Sequence, residues 1–433
     1  IDVMEPVTKY TRQLVGADLI PARVSQAFRI AEEERPGATH LELPEDIARE
    51  TTDAHVIVRN DTRRPVAEKK ATEKAVALIK ASKSPLLLIG AGSNRKRTSV
   101  MLTRFVNELG IPFVSTQMGK GVVDENHPLF IGTTALSEGD FVHRAITGSD
   151  LIINAGHDVV EKPPFLMDPK GFKVIHFNFS PALIDPVYFP QVEVVGDIAN
   201  AIWQILQSLK SQKSWEFDGF MAAKAAFEAH TDAKLPHSPT IPIHPLSLVE
   251  EVSRVMSESG IVSLDNGLYK IWFARHYKAR LPNSLLLDNA LASMGAGLPA
   301  AMAASIAEPN RRVMAVCGDG GFMMNSQEME TAVRLKLNLV ILVLRDDGFG
   351  MIRWKQESMD LTDYGTEFSN PDFVAYANAY GAQGHRLNEA EQLGPLINDV
   401  FERGGVHLIE VAIDYSDSSS FFFDKVKKAS QLL

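Results

Sequence analysis

Two short apolar runs, separated by a glycine-rich turn and a helical pattern, constrain the fold more than any other part of the chain. Residues 312–316 and 339–344 are almost continuously apolar, which is typical of parallel strands covered on both faces. The turn between them is Gly318-Asp319-Gly320-Gly321, and the helical pattern after it is expected to begin at Asn325 or Ser326. The sequence therefore predicts a strand–loop–helix–strand unit.

Each strand of this unit is followed by a loop that carries a carboxylate. Asp319 follows the first strand and Asp346 follows the second, 27 positions later. Because ligands bind at the carboxyl ends of parallel strands, we expect both side chains near one point. Gly320 and Gly321 can turn backbone N–H groups toward an anion. The two carboxylates and a carbonyl such as that of Gly348 can bind Mg²⁺ together with a diphosphate. Two surface turns that happen to contain aspartates are the alternative.

The wider sequence resembles thiamine-diphosphate enzymes. Residues 318–350 are similar to the diphosphate-binding motif of that superfamily, which runs from GDG to an Asn or Asp about a helix and a strand later. Three further stretches, 265–267, 292–299 and 370–373, make the chain most similar to acetolactate synthases. The resemblance covers essentially the whole chain and is most specific from about Ile261 onward. It implies an α/β fold with parallel sheets flanked by helices and a Rossmann-like central domain.

The resemblance also implies which residues bind the cofactor. Asp319, Asp346 and the Gly348 carbonyl match the magnesium ligands of the family. Met294 matches the residue that wedges between the two rings of the bent cofactor, a role that suits a flexible and polarizable side chain; a core methionine at a helix start is the alternative. The implied cofactor-binding residues are Gly267, Leu268, Tyr269, Ala292, Ser293, Met294, Asp319, Gly320, Gly321, Asp346, Gly348, Phe349, Gly350, Met351 and Ile352.

The reaction implied by the resemblance is that of a thiamine-diphosphate-dependent transferase or lyase. An acetolactate synthase decarboxylates one pyruvate on the cofactor and joins the resulting enamine to a second pyruvate. Another 2-keto acid decarboxylase or carboligase, or a catalytically incomplete cofactor-binding fragment, is the alternative.

Two positions bear on this choice. Ile352 stands where pyruvate decarboxylases carry a glutamate, and Lys355 stands where biosynthetic synthases carry a tryptophan. We expect Met294, Ile352 and Lys355 to be catalytic, with Ile352 excluding water and Lys355 pairing with the carboxylate of the acceptor. A solvated loop lysine is an equal alternative for Lys355.

A chain of 433 residues is too long for one ordinary core. Residues 1–55 are expected to be the C-terminal remnant of a pyrimidine-binding domain, most of which would precede Ile1. Residues 70–210 are expected to form the central Rossmann-like domain. A polar segment with several prolines and histidines, 211–240, is predicted to be a linker, and 241–433 is predicted to be the diphosphate-binding domain.

The central domain contains a glycine turn, Gly90-Ala91-Gly92, after a predicted strand at 85–89. A dinucleotide-binding fingerprint requires a third glycine where Arg95 stands. The flavin-dependent biosynthetic synthases have an arginine-rich stretch at the position of 155–161, which contains no arginine here. We therefore expect thiamine diphosphate and Mg²⁺ as cofactors, and no FAD.

Composition limits the partners and the compartment. A net charge of −10 gives no reason to expect nucleic acid or an anionic membrane as a partner. The single cysteine, Cys317, excludes an internal disulfide and fits a reducing, cytoplasmic location; its expected role is core packing. In relatives the cofactor lies between two subunits, so the resemblance implies a homodimer or homotetramer that acts on a small 2-keto acid.

Overall fold

The computed structural model of the chain describes residues 1–433 except 59–63, 135, 137–138, 158–160, 162–163, 213, 233–239, 257, 290, 419–420 and 422–433. The described residues form three parallel sheets flanked by helices, which is the predicted α/β fold. Each sheet is built from one continuous stretch of the chain. No helix in the described part of the chain combines the length and apolar character that crossing a membrane requires.

The N-terminal sheet is the smallest of the three, with two parallel strands joined by a helix. Its elements are β1 (Tyr10–Gln13), α1 (Ile20–Glu32) and β2 (Thr39–Glu42), followed by α2 (Glu45–Ala48). The Glu34 carboxylate, just after α1, accepts a hydrogen bond of 2.6 Å from the Arg95 guanidinium. This ion pair attaches the N-terminal unit to the central sheet.

The central sheet has six parallel strands in the order β5-β4-β3-β6-β7-β8. The strands are β3 (Pro85–Ile89), β4 (Phe113–Ser115), β5 (Phe130–Thr133), β6 (Leu151–Ala155), β7 (Lys173–Asn178) and β8 (Val192–Val195). The helices are α3 (Lys69–Ala81), α4 (Lys96–Leu109), α5 (Phe141–Thr147), α6 (Ile198–Ser208) and α7 (Asp218–Asp232). The order reverses between β3 and β6, as in doubly wound nucleotide-binding sheets.

Helix α7 lies within 211–240, the segment predicted to be a linker. Phe220 and Ala223 on this helix are buried, and Phe220 packs into the same core as Leu86 of β3 and Ile152 of β6. Because two apolar residues three positions apart share one helix face, the segment packs onto the central domain. The part of the predicted linker that forms α7 is therefore a packed helix of the central domain. Residues 213 and 233–239 of the predicted linker lie outside the described residues.

The C-terminal sheet also has six parallel strands, in the order β10-β9-β11-β12-β14-β13. The strands are β9 (Ile261–Leu264), β10 (Leu285–Leu286), β11 (Val313–Gly318), β12 (Leu339–Arg345), β13 (Gln383–Arg386) and β14 (Val406–Ala412). The helices are α8 (Pro245–Met256), α9 (Tyr269–His276), α10 (Gly297–Ala307), α11 (Asp319–Met324), α12 (Glu328–Arg334), α13 (Gly350–Ser358), α14 (Phe373–Ala379) and α15 (Leu393–Arg403). The predicted strand–loop–helix–strand unit occupies the middle of this sheet.

The two middle strands, β11 and β12, are buried on both faces. Along β12, Val340 and Leu342 pack into one core, whereas Leu339 and Ile341 pack into another on the opposite face. Cys317 of β11 lies in the second core, and burial raises the pKa of its thiol. Cys317 thus packs in the core, as expected.

Two helices follow β11 where the sequence predicts one, because α11 begins at Asp319 itself and the predicted helix is α12, which begins at Glu328. The N-cap of α12 is Gln327, and Asn325 is the C-cap of α11, so neither Asn325 nor Ser326 is the predicted N-cap. The Asn325 amide instead donates to the carbonyl of Gly295 at 2.8 Å, and the Ser326 hydroxyl bonds to a tyrosine of α14. Both side chains make tertiary contacts, which capping rules applied to a sequence do not include.

Candidate cofactor-binding site

A cavity lies at the carboxyl ends of β9, β11 and β12. It contains all the predicted cofactor-binding residues except Ala292, Ser293 and Ile352. Its lining residues are Asn266, Gly267, Leu268, Tyr269, Met294, Gly318, Asp319, Gly320, Gly321, Asp346, Gly348, Phe349, Gly350, Met351 and Tyr415. The structure therefore brings together loops that the sequence places far apart.

Four predicted site residues lie outside this lining. Ala292 and Ser293 are exposed in the loop that carries Met294. Ile352, which is 47% exposed, and Lys355 lie on α13 rather than on a loop, because that helix begins at the glycine that ends the loop. Their spacing of three residues places both on one exposed side of α13.

Asp319 is buried at the start of α11, and N–H donors fix the orientation of its carboxylate. Oδ1 accepts from the backbone N–H of Gly320 at 2.8 Å. Oδ2 accepts from the backbone N–H of Asp347 and from the Asn370 amide, both at 2.8 Å. Burial raises the pKa of Asp319, although these hydrogen bonds partly oppose the rise. The N–H of Gly320 is thus directed at Asp319 and not, as predicted, at an external anion.

Asp346 lies close to Asp319. Burial, followed by the negative charge of Asp319, raises the pKa of Asp346 to about 7. A Cβ on Gly350 would lie 2.8 Å from Oδ2 of Asp346, so only glycine leaves this carboxylate in place. A divalent cation beside the two carboxylates would stabilise their ionised forms.

The donor set fits a magnesium ion held partly by a diphosphate. Asp319, Asp346 and the backbone of Gly348 line one cavity and would supply hard oxygen ligands. No group of three or more His, Cys, Asp or Glu side chains in the described part of the chain could hold a metal ion. The remaining ligands would therefore have to be diphosphate oxygens or water, which Mg²⁺ commonly keeps.

Asp265 is a buried residue directly after β9 for which the sequence predicted no role. Both of its carboxylate oxygens lie within 3.0 Å of the backbone N–H of Gly295, in the loop that carries Met294. Asp265 also contacts α11, where a Cβ on Gly321 would lie 2.6 Å from its Oδ2. Asp265 therefore positions two walls of the cavity. An aspartate directly after a buried strand, as at Asp319, is the signal that could have identified it.

Two tyrosines complete the cavity. The Tyr269 hydroxyl accepts the backbone N–H of Gly318 at 2.9 Å. Tyr415 comes from the segment after β14, and no motif predicted it. Burial and the charges of Asp346 and Asp319 raise the pKa of Tyr415 well above its ordinary value. Its hydroxyl therefore stays protonated and can donate a hydrogen bond within the cavity.

The glycine turn after β3, Gly90-Ala91-Gly92, is in contact with Glu161 and His157 of the same domain. The Glu161 carboxylate accepts the backbone N–H of Ala91 at 2.8 Å and the hydroxyl of Thr116 at 2.5 Å. A Cβ on Gly90 would lie 2.3 Å from Cα of His157, which explains the need for glycine there. A backbone N–H that a nucleotide phosphate could use thus binds Glu161 instead.

Comparison with known protein families assigns the central and the C-terminal sheets to two known domains. Residues 265–411 match the family described as thiamine pyrophosphate enzyme, C-terminal TPP binding domain, and residues 72–205 match the central domain of the same enzymes. Thiamine pyrophosphate is another name for thiamine diphosphate. The first match includes every residue that lines the cavity except Tyr415. The chain belongs to the thiamine pyrophosphate enzymes.

Relatives of this thiamine pyrophosphate enzyme include several acetolactate synthases. It is 28% identical over 431 residues to acetolactate synthase of Bacillus subtilis, covering 98% of this chain and 75% of the relative. It is 28% identical over 424 residues to the catabolic acetolactate synthase of Raoultella terrigena, covering 96% and 76%. It is 28% identical over 415 residues to the large subunit of acetolactate synthase isozyme 2 of Escherichia coli, covering 94% and 74%. The predicted resemblance to the acetolactate synthase family is confirmed.

Proposed function

We propose that this thiamine pyrophosphate enzyme is an acetolactate synthase, which decarboxylates one pyruvate and joins the remaining two-carbon unit to a second pyruvate. The observation that carries the proposal is that Asp319, Asp346 and Met294 line the same cavity. The similarity to acetolactate synthases over nearly the whole chain supports pyruvate as the substrate.

The residues of the cavity would hold and shape the cofactor. Asp319, Asp346 and the Gly348 carbonyl would bind Mg²⁺, and the cation would in turn bind the diphosphate. Met294, which lines the same cavity, would keep the bound cofactor bent. Thiamine diphosphate, when bound, stabilises the negative charge left on carbon when carbon dioxide departs. The protein contributes positioning and electrostatics.

The exposed side of α13 would face the second pyruvate. This helix begins at Gly350, in the cavity lining, so Ile352 and Lys355 both lie within its first two turns. Ile352 has no proton to donate, which favours reaction with a second keto acid over protonation. Lys355 would pair with the carboxylate of the acceptor through a charge-assisted hydrogen bond.

We also propose that the active unit is a homodimer or homotetramer. Several large apolar side chains are exposed on the elements that form the cavity, and such side chains commonly mark a contact surface. They are Leu291, Met323, Met324 and Ile352. Light scattering of a fully active chain should therefore give at least the mass of a dimer, and an active monomer would contradict this.

The central domain is proposed to bind no flavin. Support comes from Glu161, because its carboxylate accepts a hydrogen bond from the backbone N–H of Ala91. This carboxylate also adds negative charge where a phosphate would lie. The purified protein should show no flavin absorbance, and added FAD should leave its activity unchanged. Tightly bound FAD would contradict the proposal.

Product analysis tests the reaction. The protein is incubated with pyruvate, thiamine diphosphate and Mg²⁺, and acetolactate, acetaldehyde and carbon dioxide are measured. We expect one acetolactate for each carbon dioxide released. Asp319→Ala should abolish this reaction, whereas Asp399→Ala, which removes an exposed ion-pair partner of Arg403 on α15, should not. Acetaldehyde as the main product would identify a decarboxylase. Cofactor binding without turnover would identify a catalytically incomplete cofactor-binding chain.

A further inference from the structure

Asn370 connects the two segments that carry the candidate magnesium ligands, the start of α11 and the loop after β12. Its Nδ2 donates to Oδ2 of Asp319 and to Oδ1 of Asp347, in both cases at 2.8 Å. The backbone N–H of Asp347 donates to the same Oδ2 of Asp319, also at 2.8 Å. The three residues therefore form a closed triangle of hydrogen bonds that joins the start of α11 to the loop after β12.

The chemistry of the amide fixes how Asn370 is oriented. Its amide group has two N–H hydrogens on one side and an oxygen acceptor on the other. Turning the amide around would place its oxygen against two carboxylate oxygens, all of them acceptors. The bonds to Asp319 and Asp347 are also the stronger, charge-assisted kind. Asn370 therefore presents its NH₂ group to the two carboxylates.

These bonds decide which part of Asp319 is left to bind a cation. A carboxylate offers about four lone-pair positions, two on each oxygen. The N–H groups of Asp347 and Asn370 take both positions on Oδ2, and the N–H of Gly320 takes one on Oδ1. One lone pair of Oδ1 is left in this count. Asn370 thus prevents the carboxylate from rotating and keeps Oδ1 available.

Helix capping does not explain the position of Asn370. The cap of the following helix, α14, is Asp372, whose side chain accepts the backbone N–H groups of Val374 and Ala375. Asn370 lies two residues before this cap, and its amide group donates hydrogen bonds to the two aspartates. The helix therefore has its own cap, and the bonds of Asn370 serve the carboxylate loops.

We propose that Asn370 is a positioning residue for the divalent cation of the diphosphate site, which it serves by fixing the orientation of the Asp319 carboxylate. This role rests on the proposed binding of thiamine diphosphate with Mg²⁺. Asn370 does not itself bind the cation. Its loss should chiefly raise the Mg²⁺ concentration that cofactor binding requires.

Calorimetric titration of the full chain with thiamine diphosphate, repeated at several Mg²⁺ concentrations, tests this role. In Asn370→Ala the Mg²⁺ concentration for half-maximal cofactor binding should rise about tenfold, as expected when a hydrogen bond to a charged group is lost. Excess Mg²⁺ should then restore cofactor binding to near the wild-type level. Asn370→Asp should be impaired further, because a third carboxylate would face Asp319 and Asp347.

Asn378→Ala is the matched control. Asn378 lies on α14 itself, and its side chain accepts the backbone N–H of Gly384, away from the cavity. This variant should lose a similar amount of thermal stability without a change in Mg²⁺ dependence. Equal Mg²⁺ dependence in Asn370→Ala and the wild type would overturn the role of Asn370 but leave the proposed function intact. Failure of excess Mg²⁺ to restore cofactor binding in Asn370→Ala would do the same. Tighter Mg²⁺ binding by Asn370→Asp would make residue 370 a ligand and would also overturn it. A wild-type chain that binds no thiamine diphosphate would overturn the proposed function, and this role with it.

Discussion

A Cβ placed on Gly321 would lie 2.6 Å from Oδ2 of Asp265. Asp265 follows β9 and Gly321 lies in the first turn of α11, yet they pack without room for a single methyl group. Asp265 also holds the N–H of Gly295 in the loop of Met294. The contact between Gly321 and Asp265 therefore sets the distance between the start of α11 and the loop of Met294, which is expected to bend the cofactor.

Gly321→Ala should lower both stability and cofactor affinity. The added methyl group would displace a buried carboxylate, and overpacking of this kind costs about 1–3 kcal/mol of unfolding free energy. The control is Gly219→Ala on α7, where a Cβ would meet no atom within 4 Å; helix propensity favours alanine there. Denaturant unfolding and titration with thiamine diphosphate measure the two effects. Equal behaviour of the two variants would show that Asp265 can move at no cost.

Magnesium-dependent cofactor binding should require Asp319. Asp319→Ala removes one of the two proposed side-chain ligands of Mg²⁺ and leaves the N–H groups of Gly320 and Asp347 without their acceptor. We expect calorimetric titration with Mg²⁺ and thiamine diphosphate to show no binding by this variant. Asp346→Asn should be mild, because an amide oxygen can still bind the cation. Unchanged affinity of Asp319→Ala would refute the metal assignment.

The two carboxylates of the cavity, those of Asp319 and Asp346, come directly after strands. Asp319 and Asp346 were identifiable because each follows a buried strand of one local unit, and adjacent parallel strands end at the same edge. For these two residues, the order of strands and turns along the chain was enough to predict that they lie close together. The same rule could have identified Asp265, which follows β9, but no spacing within a single unit drew attention to it.

Other residues reach the cavity only through tertiary packing. Tyr415 follows β14, and its position depends on how that strand pairs with β12. Asn370 depends likewise on how the segment before α14 packs against the two carboxylate loops. The additional helix α11 and the packing of α7 were missed for a related reason. Each depends on contacts with residues distant in sequence, which local patterns do not contain.

His276 should make the protein less stable in acid. It lies among Phe227, Trp272 and Phe421, and its pKa is well below the ordinary value. Burial is the largest cause, and nearby cationic or protonatable groups add to it; these are Arg275, Lys120, His230 and His244. In the unfolded chain a histidine has a pKa of about 6.5. Below that pH the unfolded state binds a proton that the folded state does not, so the free energy of unfolding falls as pH decreases.

The measurement is denaturant unfolding at a series of pH values between 8 and 5. The contribution of one histidine to the slope is at most about 1.4 kcal/mol per pH unit. His276→Gln should flatten the decrease below about pH 6.5, and His55→Gln, at an exposed position, should not. A slope that His276→Gln leaves unchanged would assign the acid sensitivity to other groups.

The fate of the first pyruvate should depend on Ile352. This residue is exposed on α13, beside Met351 of the cavity lining. Ile352→Glu would place a carboxyl group, which can donate a proton, near the two-carbon unit left by decarboxylation. We expect the product to change from acetolactate to acetaldehyde, with carbon dioxide release maintained. Val100→Glu, at another exposed apolar position on a helix, is the control and should leave the product ratio unchanged.

A further prediction for the exposed side of α13 concerns the binding of the acceptor by Lys355. If its ammonium group binds the carboxylate of the second pyruvate, Lys355→Ala should weaken acceptor binding by about 1–3 kcal/mol. The apparent KM for acetolactate formation should then rise, whereas decarboxylation of the first pyruvate should change little, because that step precedes acceptor binding. Lys74→Ala, at an exposed position on α3, should affect neither quantity. Acetolactate formation that is untouched in Lys355→Ala would make the lysine a solvated helix residue, and recognition of the carboxylate would then require another cation near the cavity.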